Sequence, residues 1–457
     1  MYFTEQLINT LPSEITEKIF STISLHDVIL KCNYHAIKYI LDTEINKDIY
    51  KKNDIYYLKT LLESDCKEND KLYVLDYLIN KKGYNYETKS ESIIYSVIEI
   101  QNMVLLKEIL NRYKININYV DRFNNNFLHY CVSFNVTTNM IAMMKIFIER
   151  GCKINTVNNE GEHFLFEFIR NKQISITKTT RDLFIVYVIN KGININTVNI
   201  YNETLFTLAS KDVSPSLCKL LVRHNININV PDRYGNYPFM YINEVYEIKN
   251  YEKCKKIEKK INYLMKFYDL NIRNYYDETI LHRLATFNYD TILSTVIEKK
   301  ICNINQKDVT GDTCFHKTVI HKHSKCFDVI YDHIKYDINH PLYTLKNKEG
   351  YHVLFEALRL DNDYIRTYMI ERLINKNTVN VRNNYLQTPF HLAVINCDLY
   401  IIKLFIEHNV DINTVDMNGN TALDTFLQTR DRDEDVDYDK ILTYLLSKNC
   451  VANNLRY

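Results

Sequence analysis

At eight places in this chain an asparagine stands eight residues before a position that is Thr, or a substitute for Thr, at the head of an apolar, helix-like segment. The pairs are Asn118/Asn126, Asn155/His163, Asn196/Thr204, Asn229/Tyr237, Asn271/Thr279, Asn305/Thr313, Asn380/Thr388 and Asn413/Thr421. Two further heads fall at Ser92 and His352, and successive heads lie 33 to 42 residues apart. One unit is thus repeated about ten times, and such units bury their apolar faces by stacking on neighbours. Length alone would suggest about three globular domains. A repeat array grows by nearest-neighbour contact instead, so the 457 residues predict one continuous body.

Glycine placement tests the period independently. Gly161, Gly235, Gly311, Gly350 and Gly419 sit two residues before a head, in the turn that leads to it. Gly151 and Gly192 sit at the C-terminal cap of a second helix, and Gly83 follows such a helix out of phase. Each place needs a backbone of positive φ, which glycine adopts without steric cost.

The clearest unit reads Gln387-Thr388-Pro389-Phe390-His391-Leu392-Ala393, then Leu399 to Glu407, then Asp411-Ile412-Asn413 and the next turn, Asp416 to Thr421. It resembles the ankyrin repeat, whose pattern is T-P-L-H-x-A, a second helix, then G-A-D-x-N. Thr388 is suited to N-cap the first helix, Pro389 to its first position, and His391 to reach back to the Thr hydroxyl. The resemblance implies an all-α ankyrin repeat solenoid of about ten to eleven helix-loop-helix repeats with short β-hairpin loops. The expected division is a helical N-terminal element over residues 1–48 and a repeat array over residues 49–457. Ile55 to Ser64 and Leu72 to Asn80 read as a first helix pair that lacks the Thr-type head.

Ankyrin hairpin tips and inner helices form a concave face that binds other proteins, so the resemblance implies a protein target there. The residue three before the head is aromatic in five of ten units: Phe123, Tyr201, Tyr234, Tyr276 and Tyr385. Exposed Tyr offers large contact area at low rotamer entropy, which makes these tips candidate target-binding residues. The competing expectations are that neighbouring rings stack on one another or that codon usage supplies them.

Leu11-Pro12-Ser13-Glu14-Ile15, followed by Ile19-Phe20 and by Asp27-Val28, resembles the start of an F-box, the helical motif that docks onto the Skp1 subunit of cullin-RING ubiquitin ligases. Pro12 and Glu14 suit a helix N-terminus, and Ile15, Ile19, Phe20 and Ile23 share one apolar face. The resemblance implies Skp1 binding by Leu11, Pro12, Glu14, Ile15, Ile19, Phe20, Ile23, Asp27 and Val28. It covers about 20 residues of a motif of roughly 45, and the Trp common in the later part has no counterpart here. The alternative is a helix that caps the solenoid, with Asp27 to Asn33 and His35 to Leu41 forming a worn helix pair.

Composition narrows the partners. A formal net charge of +1 calls for neither nucleic acid nor an anionic membrane. Met1 to Glu5 begins no signal sequence, and apolar runs such as Leu183 to Ile189 are too short to span a bilayer, so the expectation is a cytoplasmic protein, with the nucleus left open. Eleven scattered cysteines without a C-x-x-C pair read as free thiols. Abundant Asn, Ile, Lys and Tyr point to an A/T-rich genome, and the ankyrin and F-box-like combination is similar to proteins of giant DNA viruses, mimivirus-like or poxvirus-like, which would place it in host cytoplasm.

Three insertions stand out. Asn171 to Arg181 lengthens an interhelix link; Glu247 to Phe267 carries Lys253, Lys255, Lys256, Lys259 and Lys260 on what reads as a solvated helix face; and Arg430 to Asp439 departs from a calcium loop at Val436 and Leu442. His129, His282, His316 and His391 read as capping residues. His316, His321, His323 and Cys326 fit no zinc spacing. No phosphate loop, H-E-x-x-H or G-x-S-x-G is present, so no cofactor, metal or catalytic group is expected. The two functional readings are a substrate adaptor for a Skp1-cullin ligase and a plain ankyrin scaffold or decoy that sequesters a host protein.

Overall fold

Most units begin with a capped head, His163 and Tyr237 being the heads that make no side-chain cap bond. In the computed structural model, which describes residues 24–42, 54–88, 91–211, 215–241, 251–300, 302–429 and 438–454, Thr279, Thr313 and Thr388 each form a reciprocal capping box with the histidine three residues on. The box satisfies N–H groups that the first turn leaves without intrahelical partners. Asn126 does the same with His129, while Ser92 accepts from the Ile94 N–H at 3.3 Å.

The first helices that follow are short and buried on nearly every side. Phe164–Arg170, for example, buries Phe164, Leu165, Phe166, Phe168 and Ile169. A helix apolar all round needs neighbours all round. Second helices, such as Leu399–Glu407, bury one stripe (Ile401, Ile402, Phe405) and leave Tyr400, Lys403 and Glu407 to solvent. The heads at Asn126, His163, Thr204, Thr279, Thr313, His352, Thr388 and Thr421 all lead into such first helices. Tyr237 differs: it leads only into a three-residue 3-10 turn, Pro238–Met240. Ahead of Ser92 lie two more pairs, Leu25–Leu30 with Tyr34–Asp42 and Asp54–Glu63 with Glu68–Asp76. Contacts divide the chain into two compact units, residues 1–212 with 220–227, and residues 213–219 with 228–457.

The hairpins share one hydrogen-bond scheme. An Asp or Asn five residues before the head accepts, through one side-chain oxygen, from the backbone N–H groups two and four residues on. Asn383 takes Tyr385 and Gln387, both at 2.9 Å; Asp416 takes Asn418 at 2.8 Å and Asn420 at 2.9 Å; Asp121 takes Phe123 and Asn125, both at 2.8 Å. The same pair of bonds is made by Asn158, Asn199, Asp232, Asn274, Asp308 and Asn347. A side chain so bonded fixes the turn without a strand ladder. Two residues before the head the backbone turns left-handed, at Gly161, Gly235, Gly311, Gly350 and Gly419, as the glycine pattern predicts, and also at Asn124, Asn202, Asp277 and Leu386.

The asparagine eight residues before the head joins one unit to the next. Asn118 Oδ1 accepts from the Lys153 N–H at 2.8 Å, Asn155 from Asn194 at 2.7 Å, Asn196 from Asn227 at 2.7 Å, Asn271 from Asn303 at 2.8 Å, Asn380 from Asp411 at 2.9 Å and Asn413 from Val451 at 2.9 Å. Histidines supply a second bond of this kind. Nε2 of His129, His282, His316 and His391 faces the carbonyl just before the next head, at Glu162 (3.0 Å), Asp312 (3.1 Å), Tyr351 (3.1 Å) and Asn420 (3.3 Å). That nitrogen must carry the proton, so Nδ1 is left as the acceptor facing the head.

The lysine-bearing insertion forms the helix Tyr251–Leu264 and corrects one expectation. Lys255 and Lys259 are exposed, but Lys260 is fully buried and donates to the Tyr241 carbonyl at 2.7 Å, so the helix face is not uniformly solvated. Burial pushes the Lys260 ammonium down to about 8. The link after Phe164–Arg170 is lengthened, as the insertion at 171–181 predicts, and the second helix begins at Lys178.

Replacing Asn383 by Ala removes two turn bonds from a buried site and should lower unfolding free energy by about 2 kcal/mol. Asp, which fills this position in four other hairpins, keeps both turn bonds and loses only the Nδ2 bond to Gln387, so it should cost less than Ala; equal losses for Asn383→Ala and Asn383→Asp in urea titrations would count against the turn scheme. A second expectation concerns pH. Burial holds His163 and His316 down to about 4 and His352 to about 3, against about 6.5 in an unfolded chain. Below pH 6.5 the unfolded chain therefore binds protons that the folded one refuses, and this stability is lost as pH falls from about 6.5 toward 4. Thermal midpoints at pH 7, 6 and 5 should decline stepwise; a constant midpoint would show that these imidazoles are not held neutral.

Candidate protein-interaction surface

The hairpin tips are tied into rows by a single rule of register. The N–H four residues before one head donates to the carbonyl three residues before the preceding head. In the second unit Tyr275 donates to Tyr234 at 3.0 Å, Val309 to Tyr276 at 2.8 Å, Lys348 to Thr310 at 2.9 Å and Met417 to Tyr385 at 2.9 Å. Between the third and last of these bonds, Asn384 reaches the Lys348 carbonyl through its side-chain amide at 2.8 Å. In the first unit Asn159 donates to Phe123 and Ile200 to Glu160, both at 3.0 Å. Such close approach restricts what precedes each head. A Cβ built on Gly235 would lie 2.7 Å from the Tyr275 nitrogen, and one on Gly311 would lie 2.8 Å from the Lys348 nitrogen.

Apart from the Asn384 link these bonds use only backbone, which leaves the tip side chains outward. Phe123, Tyr201, Tyr234, Tyr276 and Tyr385 are 37% to 52% exposed. Among the described residues no ring of Phe123, Tyr234, Tyr276 or Tyr385 stacks on the ring of another tip. Arginines lie over two of them instead: Arg122 is 4.7 Å from the Phe123 centroid and Arg233 is 4.7 Å from that of Tyr234. The donor position adds a second set of apolar side chains that the sequence reading missed. Ile200, Tyr275, Val309 and Met417 are all exposed, and Leu386 joins them. Their signal was available: an apolar residue four before the head, where solvent would favour a polar one.

Beside the second unit's tips lies a groove of about 650 Å³, lined by Thr310, Asp312, Asn347, Glu356, Arg359 and Asp361 among others. Its polar groups are closely paired. Asn347 Nδ2 donates to Asp312 Oδ1 and Glu356 Oε1, both at 3.0 Å, and Arg359 lies 3.2 Å from Glu356. Burial raises the Glu356 carboxyl despite Arg359. At neighbouring Asp308 burial acts in the same direction, but Lys317 at 2.7 Å and a Thr310 hydrogen bond outweigh it and hold the carboxyl low. The groove thus presents a mixed-charge wall beside an aromatic row, suited to polar and backbone groups of another chain.

Of the F-box-like residues, Leu11, Pro12, Glu14, Ile15, Ile19, Phe20 and Ile23 lie outside the described residues, as does Arg430 to Asp437 of the third insertion. Asp27 is exposed in the first turn of Leu25–Leu30, while Val28 is buried beside Leu25 and Ile29. His321 and His323 stack at 5.9 Å, and the His323 Nε2 lies 3.0 Å from the Thr286 carbonyl. Among the described residues, no cluster of three His, Cys, Asp or Glu side chains could hold a metal ion. No described helix is long and apolar enough to cross a membrane.

Comparison with known proteins agrees with this geometry. The family model for ankyrin repeats (three copies) matches residues 354–455. The chain is 26% identical to ankyrin repeat protein L371 of Acanthamoeba polyphaga mimivirus over 185 residues, 40% of this chain and 24% of that protein. It is 42% identical over 60 residues to ankyrin repeat protein FPV243 of fowlpox virus, covering 13% of this chain and 23% of the relative. With FPV230 of the same virus the identity is 36% over 84 residues, covering 17% of this chain and 45% of the relative. The matched stretches span less than half the length of each relative. Residues 354–455 are thus matched as ankyrin repeats, the helix pairs and hairpins before them are consistent with the same solenoid, and the matched stretches are homologous to viral ankyrin repeat proteins.

Proposed function

We propose that this chain is a non-enzymatic protein-binding scaffold that takes a protein target on its hairpin tips and the groove beside them. Ankyrin repeats imply a protein-protein interaction role. The observation that carries the finer reading is the exposed tip row of the second unit, with Tyr234, Tyr275, Tyr276, Tyr385 and Met417 borne on hydrogen-bonded backbone. Large rings on a preorganised frame bind with little further loss of entropy. On this reading the chain sequesters a host protein as a scaffold or decoy.

Tyr234→Ser, Tyr276→Ser and Tyr385→Ser together should leave the thermal midpoint within a few degrees, because exposed substitutions outside special sites usually change stability by less than about 0.5 kcal/mol each. The same triple variant should lose the proteins captured by the wild-type chain from a eukaryotic lysate. An unchanged set of captured proteins would sink the tip-row assignment.

The sequence match at Leu11, Pro12, Glu14, Ile15, Ile19 and Phe20 supports a second, more specific reading, in which the chain is an adaptor that brings its target to a Skp1-cullin ubiquitin ligase. Asp27 is exposed in the first turn of its helix, which supports this reading, while Val28 is buried. Under this reading, Leu11→Ala, Pro12→Ala and Phe20→Ala together abolish Skp1 pull-down while target capture persists. Skp1 recovered equally with and without the three substitutions would leave the scaffold reading alone.

A further inference from the structure

Cys32 and Cys66 occupy corresponding places in two consecutive helix pairs. Cys32 lies in the turn between Leu25–Leu30 and Tyr34–Asp42, and Cys66 lies between Asp54–Glu63 and Glu68–Asp76. Reciprocal contacts place their thiols. The Cys66 thiol donates to the carbonyl of Leu30, two residues ahead of Cys32, at 3.4 Å. The Cys32 sulfur lies 3.6 Å from the hydroxyl of Ser64, two residues ahead of Cys66. Each sulfur is thus held against the segment that carries the other.

The surroundings fix both turns. Ser64 Oγ donates to the Leu61 carbonyl at 2.7 Å, and the Cys32 N–H donates to the Ile29 carbonyl at 2.9 Å, with Cys32 itself at φ 47°. Both cysteines are half-buried, so a small oxidant reaches them; Cys302 and Cys397 are half-buried as well, whereas Cys131, Cys152, Cys218, Cys314, Cys326 and Cys450 are buried.

We propose that Cys32 and Cys66 form a peroxide-responsive dithiol, which closes to an intramolecular disulfide and staples these two helix pairs together. Burial pushes the Cys32 thiol up to about 12, so Cys66 is assigned the attacking role and Cys32 the resolving one. The Cys66 thiolate attacks one oxygen of hydrogen peroxide, the O–O bond breaks, and hydroxide leaves a sulfenic acid on Cys66. The Cys32 sulfur then attacks the Cys66 sulfur; the S–O bond breaks, and the departing hydroxide takes the Cys32 proton as water. Two thiols are oxidised by two electrons in all, and one peroxide is reduced to two waters. A dithiol reductant reverses the closure by exchange. The bridge closes a loop of roughly 35 residues, long enough to restrict the unfolded chain substantially.

The test uses the full chain, reduced, then treated with a few equivalents of hydrogen peroxide and mapped under non-reducing conditions by mass spectrometry. The expected product is a peptide cross-link between Cys32 and Cys66, with titratable thiols falling by two from the eleven in the sequence. Proteolysis between residues 24 and 76 should slow several-fold on oxidation and recover with dithiothreitol. Cys66→Ser should abolish both the cross-link and the protection; Cys32→Ser should leave Cys66 as a sulfenic acid trapped by dimedone, a readout independent of protection. Recovery of Cys66 as sulfinic acid with Cys32 unmodified in the wild-type chain would overturn the proposal. So would a preferred cross-link from either cysteine to some other cysteine.

Discussion

Every unit depends on its neighbour to satisfy polar groups that its own residues cannot. The imidazole of His316 has a backbone partner at Nε2 only because Tyr351 of the next hairpin offers a carbonyl, and Asn380 Oδ1 has one only because Asp411 offers an N–H. A single helix pair would leave these groups to water and its short, all-apolar first helix exposed. Stacking resolves both faults at once, which ties the apolar term to the hydrogen-bond term. The exceptions show the same dependence. After Thr313 the chain inserts the 3-10 turn Pro341–Tyr343, and Asn305 Oδ1 is left buried without a hydrogen-bond partner among the described residues. His352 likewise has a buried Nε2 without one.

The choice between Asp and Asn five residues before the head follows from what surrounds the second half of that side chain. Where the neighbours are acceptors, an amide is needed: Asn199 Nδ2 bridges Glu162 at 2.8 Å and Glu203 at 3.1 Å, and Asn347 bridges Asp312 and Glu356. Where the neighbours are donors, a carboxylate serves: Asp308 meets Lys317, and Asp232 meets the Tyr241 hydroxyl and the Asn236 amide. An Asp at position 347 would set a third carboxylate against two others. The turn itself accepts either residue, because both offer one oxygen to the two N–H groups.

The period, the capped heads, the histidine roles and the glycine turns were legible in the sequence because each rests on local chemistry repeated many times. The Asx position was equally regular, present before nine heads, yet its role emerges only when the two N–H groups converge on one oxygen. Lys260 was not legible. Its neighbours Lys255 and Lys259 face solvent, and nothing local reveals that the next position points at the Tyr241 carbonyl. The aromatic tips were legible as exposed positions; the apolar donor residues Tyr275, Val309 and Met417 carried a signal of their own, but it is masked because an apolar residue in a turn reads first as core. The groove beside Asn347 depends on side chains from separate repeats and has no linear signature.

Frame residues and exposed tip side chains are separated by which atoms they use. Except at Asn384, whose side-chain amide makes the link, the tip row is held by an N–H four residues before one head and a carbonyl three before the preceding one, so it makes no demand on the side chains at those positions. Tyr276 and Val309 are joined by their backbones at 2.8 Å while both side chains remain exposed. The demand falls two residues before the head, where a Cβ at Gly235 or Gly311 would collide with the next tip. Leu386 satisfies the same left-handed turn at φ 59° with a side chain that is exposed rather than packed, a conformation that costs roughly 1–2 kcal/mol for an L-residue. The fold therefore carries an unfavourable turn at a tip where Tyr385, Leu386 and, across the backbone bond, Met417 are all exposed. Stability favours glycine there; a surface that engages an apolar patch on a partner favours leucine.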